Sequence, residues 1–172
     1  MKSVRWWGPI VAAIVFVADQ AVKYLVTAVL GVNRPGDVME LLPIFRLQYV
    51  ENVGVSLGLL PAGSDASRWA LVVLTVAIAI GVAIWMLRER HRADLIALGM
   101  VLGGALGNIL DRARLGYVTD FADLHFGSWS PFLVFNVADA GITIGVLILL
   151  VRALLIRDKP KKTPASVENV NA

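Results

Sequence analysis

The chain has 172 residues, of which 58% are hydrophobic and 17% charged, whereas soluble domains are about 45–50% apolar and about 25% charged. This composition excludes an ordinary water-facing globule, and at roughly 20 apolar residues per span the length suits about four membrane spans in one domain. The net charge of +3 is small, the absence of Cys excludes disulfides and cysteine nucleophiles, and the two His residues are too few for a His-rich metal centre.

Four long apolar stretches predict four transmembrane helices, at residues 6–29, 69–87, 95–110 and 131–156. Helices are expected because an isolated strand leaves its backbone polar groups unsatisfied in hydrocarbon. The first stretch follows Lys2 and Arg5 and also fits a secretory signal sequence. We favour an uncleaved span there, because the stretch contains Asp19, Gln20 and Lys23 and extends beyond a usual signal core.

The placement of the basic residues predicts the orientation in the membrane. Ten Lys and Arg residues flank the spans on one side, whereas five Arg residues on the other side are offset by seven acids. Both termini are therefore predicted to be cytoplasmic, with segments 30–68 and 111–130 on the outer side. Residues 158–172 are predicted to form a disordered cytoplasmic tail.

The outer segment 30–68 is predicted to be a small cap rather than a linker. Phe45, Leu47 and Tyr49 alternate with polar residues, as in a half-buried strand, and turn residues bracket the pattern. The sequence thus predicts an all-α membrane protein: four transmembrane helices with a small strand-containing extracytoplasmic cap. Residues 1–157 are predicted to form a single membrane-embedded domain.

Two charges inside the first predicted span form a candidate cluster. Asp19 and Lys23 are four residues apart, so they share a helix face and can pair. An unpaired charge at that depth is costly. The pair is therefore either a packing device that faces the helix bundle or a contact to a substrate or reacting group.

The third predicted span carries a row of glycines that recur every four residues from Gly99 to Gly107, with Gly104 beside them. Such a row lets helix backbones approach closely, and packing alone is a sufficient explanation for it. The row, however, leads directly into three polar side chains, Asn108, Asp111 and Arg112. We therefore expect a close helix crossing that brings an amide, a carboxylate and a guanidinium to one site.

Two further carboxylates are candidate catalytic groups. Asp120 follows the third predicted span, and Asp139 lies about eight residues into the fourth, roughly 12 Å along a helix. Two acids at low dielectric cannot both ionise easily, so one keeps a proton while the other is charged. Such a pair activates water and protonates a leaving amine in aspartic proteases without a metal. Spacing alone does not bring the two together, and two unrelated acids remain the alternative.

A serine hydrolase is one competing interpretation. Residues 54–58 match G-x-S-x-G around Ser56, and Asp123 and His125 follow in the chain order of that class. The motif requires a strand-to-helix turn in a parallel sheet, for which four spans and short loops leave no room. A dyad of Ser56 with Lys23 is disfavoured because Asp19 would keep Lys23 charged.

Two other classes fit less of the sequence. Metal-dependent lipid-headgroup phosphotransferases have a different spacing of acids from that found after Asp111. A small proton- or ion-coupled transporter, with Asp19, Lys23 and Asp139 as a relay, remains open. Such a transporter would need oligomerisation to enclose a pathway, and the cap would have no purpose.

Five blocks, in order along the chain, resemble one family, lipoprotein signal peptidase (signal peptidase II). They are Asp19-Gln20 with Lys23, Glu51-Asn52-Val53-Gly54, residues 103–112 (GGALGNILDR), residues 116–121 (GYVTDF) and residues 135–139 (FNVAD). The blocks, their order and the four-span layout cover nearly the whole chain. The sequence departs from the usual family pattern at Val55-Ser56-Leu57 and at Ala140, which affects contacts around the substrate.

The resemblance implies an intramembrane aspartyl endopeptidase of the bacterial inner membrane, active near the extracytoplasmic face. It implies removal of the signal peptide from diacylglyceryl-modified prolipoproteins by a cut just before the lipidated Cys. The catalytic pair falls on Asp120 and Asp139, and the substrate-binding or supporting positions fall on Asp19, Lys23, Asn52, Gly54, Gly104, Asn108, Asp111, Arg112, Asn136 and Ala138. We expect no metal or cofactor, a prolipoprotein and membrane lipid as partners, no nucleic acid, and a monomer.

Overall fold

A computed structural model describes residues 3–54, 64–127 and 129–155. Within these residues, four helices are long and apolar enough to cross a membrane. They are α1 (Trp7–Tyr24), α2 (Asp65–Arg88), α3 (Arg92–Leu115) and α4 (Val137–Leu155). A 3-10 turn (Ser3–Trp6) precedes α1, and a π-helical turn (Leu25–Val29) extends it. Ser56 and the predicted tail lie outside the described residues, so the proposed domain of residues 1–157 stays a prediction.

Helix α3 is the centre of the bundle and packs against α1, α2 and α4. Its glycines make this possible, because a Cβ at Gly103 would collide with the carbonyl oxygen of Ala12 in α1. A Cβ at Gly104 would likewise collide with the carbonyl oxygen of Ala138 in α4. The close helix crossing expected from the glycine row is therefore confirmed, and it involves two neighbouring helices.

Replacing Gly104 by Val is expected to force α3 and α4 apart and to destabilise the protein by about 1–3 kcal/mol or more, as overpacking does. Gly81 on α2 is the matched control, because a Cβ there meets nothing within 4 Å. The free energy of unfolding in detergent, measured for Gly104→Val and Gly81→Val, tests the expectation. Equal stability of the two variants would contradict the close crossing.

The cap contains a three-stranded antiparallel sheet in the order β1 (Val38–Leu42), β2 (Phe45–Asn52), β3 (Val118–Leu124). Leu47 and Tyr49 are buried, as the alternation in β2 predicts, and pack with Val26 and Phe121. Strand β3 comes from the segment after α3 and was not predicted. All of its residues except the last are buried, so it lacks the alternation that reveals a half-buried strand.

The predicted boundaries of the third and fourth spans are wrong; the third helix begins at Arg92 rather than at residue 95. The third helix does not end at residue 110 but continues to Leu115, because Lys23 pairs with Asp111 and Arg68 donates to carbonyl oxygens in the last turn. The fourth helix begins at Val137 rather than at residue 131, because the preceding segment lies beside β3, where Phe135 exchanges backbone hydrogen bonds with Ala122. Asp139 therefore lies in the first turn of α4, not about eight residues into the span.

The second helix is also longer than predicted. It begins at Asp65 rather than at residue 69, because the side chain of Ser64 accepts a hydrogen bond from the amide of Ser67 at 3.2 Å. A Ser at this position satisfies one of the free amides at a helix start. The first span matches its prediction within one residue.

Candidate active site

Asp120 lies on β3 opposite Val50 of β2, and its side chain is turned into the protein with only 2% of the residue exposed. Both carboxylate oxygens accept hydrogen bonds from asparagine amides. Asn52 Nδ2 donates to Oδ2 at 2.9 Å, and Asn136 Nδ2 donates to Oδ1 at 2.6 Å. Asn52 is at the end of β2, so strand pairing delivers one of the two donors.

Asp139 is half-buried in the first turn of α4 and forms a reciprocal cap with Asn136. Asn136 Oδ1 accepts from the amide of Asp139 at 2.9 Å, and Asp139 Oδ2 accepts from the amide of Asn136 at 3.3 Å. This is the capping-box arrangement with Asn and Asp in place of Ser and Glu. Asn108 Nδ2 on α3 donates to the other oxygen, Oδ1, at 2.8 Å.

Asn136 joins the two carboxylates into one site. Its amide nitrogen Nδ2 bonds Asp120, while its Oδ1 and backbone nitrogen bond Asp139. The residue is 1% exposed, and the same Nδ2 lies 3.4 Å from Asn108 Oδ1. The structure therefore brings Asp120 and Asp139 to the same asparagine, which spacing in the sequence could not establish.

The two carboxylates have different electrostatic surroundings. Burial, the largest cause, and the negative charge of Asp139 raise the pKa of Asp120 to about 6, although hydrogen bonds from Asn52 and Asn136 and the charge of Lys23 act in the opposite direction. Asp139 lies at the start of a helix, where backbone dipoles favour negative charge. The surroundings of Asp120 therefore favour its protonated form.

A second buried cluster lies next to this pair. Lys23 Nζ is 2.7 Å from Asp19 Oδ2 and 2.7 Å from Asp111 Oδ2, and Gln20 also bonds both acids. Asp19 is fully buried and Lys23 is 6% exposed. The predicted pairing of Asp19 with Lys23 is present, and Asp111 completes the cluster rather than facing Asp120 and Asp139.

Arg112 and Gly54 lie on the cap side of the pair. The guanidinium of Arg112 is near enough to Asp139 and Asp120 to interact with their charges, and its buried Nε has no partner among the described residues. A Cβ at Gly54 would lie 3.9 Å from Arg112 Nη2. Gly54 adopts φ +84°, and its amide donates to Asn52 Oδ1 at 2.9 Å, which orients the Asn52 amide towards Asp120.

Three small residues, Gly104, Gly107 and Ala138, allow α1, α3 and α4 to pack closely at the site. Gly104 lies against the Ala138 carbonyl, so α4 starts close to α3. A Cβ at Gly107 would lie 2.6 Å from Asp19 Oδ2, so only Gly leaves room for that carboxylate. Ala138 is fully buried, and its amide donates to Asp19 Oδ1 at 2.9 Å.

Two adjoining cavities give access to the pair. One of about 510 Å³ reaches Asp139 and is lined mainly by apolar residues of α4 and the preceding segment, among them Phe132, Leu133 and Ile144. The other, of about 380 Å³, reaches Asp120 and is lined by Asn52, Gly54 and again Leu133. Leu133 lines both cavities and separates them. It is 91% exposed, so few other side chains pack against it.

Sequence reasoning gave no role to three residues in these clusters: Gln20, Thr119 and Arg68. Arg68 donates to the carbonyl oxygens of Arg112 and Ala113 at 2.8 and 2.6 Å, which satisfies the end of α3. Gln20 had two signals in the sequence: it is a polar residue inside an apolar span, and it stands beside Asp19 in the first block of the family resemblance. No pattern marks Arg68 or the backbone of Thr119, because their contacts depend on the tertiary fold.

The serine-hydrolase interpretation is not supported by the residues that the structure describes. Asp123 Oδ2 accepts from Arg46 Nε at 2.7 Å, and His125 Nε2 is 3.6 Å from Glu40. These residues form charge contacts on the sheet instead of an acid–histidine pair. Lys23 Nζ is engaged by the carboxylates of Asp19 and Asp111.

Known proteins resemble this chain along most of its length. The chain matches the family described as Signal peptidase (SPase) II over residues 11–155. It is 56% identical over 162 residues to the lipoprotein signal peptidase of Rhizorhabdus wittichii, covering 94% of this chain and 91% of that protein. It is 50% identical over 159 residues to that of Sphingopyxis alaskensis, covering 92% and 91%.

Two solved structures, each described as a bacterial membrane enzyme determined by the in meso method, have the same fold. The structure at 2.3 Å resolution is 27% identical with a TM-score of 0.72 and covers 94% of this chain and 94% of its own. The structure at 1.9 Å resolution is 28% identical with a TM-score of 0.73, covering 88% and 94%.

The bundle of apolar helices, the cap and the buried carboxylates define a multi-pass membrane enzyme of the aspartic peptidase class. The family match and the close relatives make the assignment more specific. The chain belongs to the signal peptidase II family. The resemblance noted in the sequence and the predicted fold class are confirmed, and the protein is placed in the bacterial inner membrane.

Proposed function

We propose that the chain removes the signal peptide from diacylglyceryl-modified prolipoproteins by cutting just before the lipidated Cys, with Asp120 and Asp139 as the catalytic pair. The observation that carries the proposal is that Asn136 hydrogen-bonds both carboxylates beside an apolar cavity. The names of the relatives support the substrate class. The apolar lining beside Asp139 suits a signal helix and acyl chains.

The raised pKa of Asp120 favours it as the acid, which leaves Asp139 as the base. Asp139, as the base, takes a proton from a water molecule whose oxygen attacks the carbonyl carbon before the Cys, while Asp120 gives its proton to the carbonyl oxygen. In the second step Asp139 protonates the leaving amine and Asp120 takes back a proton from the hydroxyl, so that the C–N bond breaks. Both acids end in their starting protonation states.

The surrounding polar groups position the reactants. Asn52, Asn108 and Asn136 fix the carboxylates by hydrogen bonds, and Arg112, whose charge acts on both Asp139 and Asp120, would bind the substrate backbone. Holding reactants in this way lowers the entropic cost of the reaction. No metal or cofactor is required by this scheme.

We place the pair at the extracytoplasmic face and both termini in the cytoplasm. The ends of α1 and α3 and the start of α4 meet at the site, whereas Arg88, Arg90 and Arg92 lie at the opposite end of the bundle. Basic residues are enriched on the cytoplasmic side. The complete site comes from one chain, which supports a monomer in contact with lipid.

The proposal is tested by incubating the purified chain with one prolipoprotein in two forms, with and without diacylglyceryl on the Cys. Cleavage before the Cys is expected only for the lipidated form, as determined by mass spectrometry of the products. Cleavage of both forms at the same rate would contradict the role of the lipid. No cleavage of either form by a folded sample would contradict the proposed function.

A pH dependence follows from the raised pKa of Asp120. Because the scheme needs Asp120 protonated, kcat/KM is expected to fall as pH rises through about 6, by about tenfold per pH unit. Initial rates at low substrate concentration in buffers of constant ionic strength give this profile. A value of kcat/KM that rises steadily from pH 6 to pH 9 would contradict the assignment of Asp120 as the acid.

A further inference from the structure

Asp19 and Asp111 in the buried cluster are connected by Gln20 as well as by Lys23. Its Nε2 lies 3.1 Å from Asp19 Oδ2 and 3.1 Å from Asp111 Oδ1, so the two N–H groups of a single amide serve one acid each. Lys23 bridges the same two acids with a charge on a flexible stem. The two N–H groups of an amide have fixed directions in one plane, so Gln20 adds an orientation to the separation of the two acids that the Lys23 charge does not impose.

Each of these acids also holds the backbone amide that directly precedes a catalytic residue. Asp19 Oδ1 accepts from the amide of Ala138 at 2.9 Å, one residue before Asp139. Asp111 Oδ2 accepts from the amide of Thr119 at 3.3 Å, one residue before Asp120. The distance between Asp19 and Asp111 is therefore transmitted to the backbones that carry the two catalytic carboxylates.

We propose that Gln20 is a positioning residue for the reaction: it sets the spacing of Asp120 and Asp139 by holding Asp19 and Asp111 at a fixed separation. The inference rests on the proposed catalytic role of that pair. Gln20 touches neither catalytic carboxylate, so it acts through Asp19 and Asp111. Misplacement of reacting groups by about 1 Å costs roughly 100-fold in rate. A small change in the distance between Asp120 and Asp139 is therefore expected to lower the rate of cleavage.

The position of Gln20 makes the idea testable without unfolding the protein. Gln20 is half-buried and lines a polar cavity of about 330 Å³ together with Tyr24, Thr27 and Arg114. A change in its side chain therefore borders open space instead of tightly packed core. Tyr24 is 67% exposed and lines the same cavity one helical turn away, so Tyr24→Phe is a matched control.

The experiment compares Gln20→Met, Gln20→Glu and Tyr24→Phe with wild type in steady-state cleavage of the lipidated precursor. Gln20→Met removes both N–H donors at similar size, and we expect kcat to fall by about 10- to 100-fold with KM within about twofold. We also expect the pH at which kcat/KM falls to shift, since the charge interaction between Asp120 and Asp139 depends on their separation. Tyr24→Phe is expected to match wild type.

Gln20→Glu distinguishes a positioning role from a purely structural one, because its loss of kcat is expected to depend on pH. Its carboxylate faces Asp19 and Asp111 at neutral pH, so we expect a larger loss of kcat there than for Gln20→Met. At lower pH the side chain gains a proton and one donor, so the loss relative to wild type is expected to shrink.

Two results would overturn the inference. One is wild-type kcat and pH profile in Gln20→Met. The other is a loss in rate that matches a loss of folded protein and leaves the pH profile unchanged. Full activity of Asp120→Asn on the same substrate would instead contradict the proposed function itself, so the two failures are distinguishable.

Discussion

Replacing Asp120 by Asn is expected to abolish cleavage of the lipidated precursor while the protein still inserts and folds. Asn cannot donate the proton that the carbonyl oxygen receives, and loss of general acid–base catalysis costs about 100- to 10,000-fold. Asp139→Asn is expected to be equally inactive, because it removes the base. Product formation by mass spectrometry and thermal unfolding of the same samples measure both properties.

The stability of Asp120→Asn has a defined direction with pH. Because burial raises the pKa of Asp120 from 3.8 to about 6, wild type loses stability as pH rises from 3.8 to about 6 and loses no more from this group above that value. Asn carries no charge, so the variant is expected to lose less stability than wild type over this range.

Asp123→Asn is the matched control, since Asp123 is a buried acid on the same strand that pairs with Arg46 and not with the catalytic groups. Its cleavage rate per folded molecule is expected to stay near that of wild type. If Asp120→Asn or Asp139→Asn cut at the wild-type rate, the catalytic assignment would be wrong.

Replacing Lys23 by Met is expected to lower the free energy of unfolding more than Asp19→Asn or Arg152→Met does. The change leaves Asp19 and Asp111 buried without their shared cation, and removing one partner of a buried ion pair costs about 3–5 kcal/mol. Gln20 alone cannot neutralise two carboxylates. The free energy of unfolding in detergent, measured against denaturant, gives the value.

Two further variants provide comparisons for the loss of stability in Lys23→Met. Asp19→Asn keeps an oxygen for the Ala138 amide and leaves Asp111 as a partner for Lys23, so it is expected to lower stability by less than Lys23→Met does. Arg152→Met removes a partly exposed interhelical ion pair with Asp94 and is expected to cost less than Lys23→Met. A Lys23→Met protein as stable as Arg152→Met would contradict the structural role of the cluster.

The parts of the fold that could be predicted are those in which local composition decides the structure. The α2 span lacks charges from Trp69 to Leu87, so nothing competes with a transmembrane helix. Buried Leu47 and Tyr49 produce the period of a half-buried strand. Gly103 and Gly104 predicted that other helices pack closely against α3. The structure shows that Gly103 lies against the backbone of Ala12 and Gly104 against that of Ala138.

The parts that could not be predicted depend on tertiary contacts. Strand β3 is buried on both faces and carries Asp120 and Asp123, so its composition is not typical of a strand. The start of α4 is decided by a cap that Asn136 makes while it also bonds Asp120. Helix α3 continues past residue 110 because Lys23, distant in sequence, neutralises Asp111. Asn108 and Asp111 share a helix face, yet they serve different clusters.

Infrared difference spectroscopy of the purified protein during a pH titration tests the sharing of one proton by Asp120 and Asp139 most directly. Wild type is expected to show the carbonyl band of a protonated carboxyl group that disappears as pH rises through about 6. The same band is expected to be missing in Asp120→Asn and retained in Asp123→Asn. A band that persists unchanged in Asp120→Asn, or no such band in wild type, would contradict the proton-sharing pair.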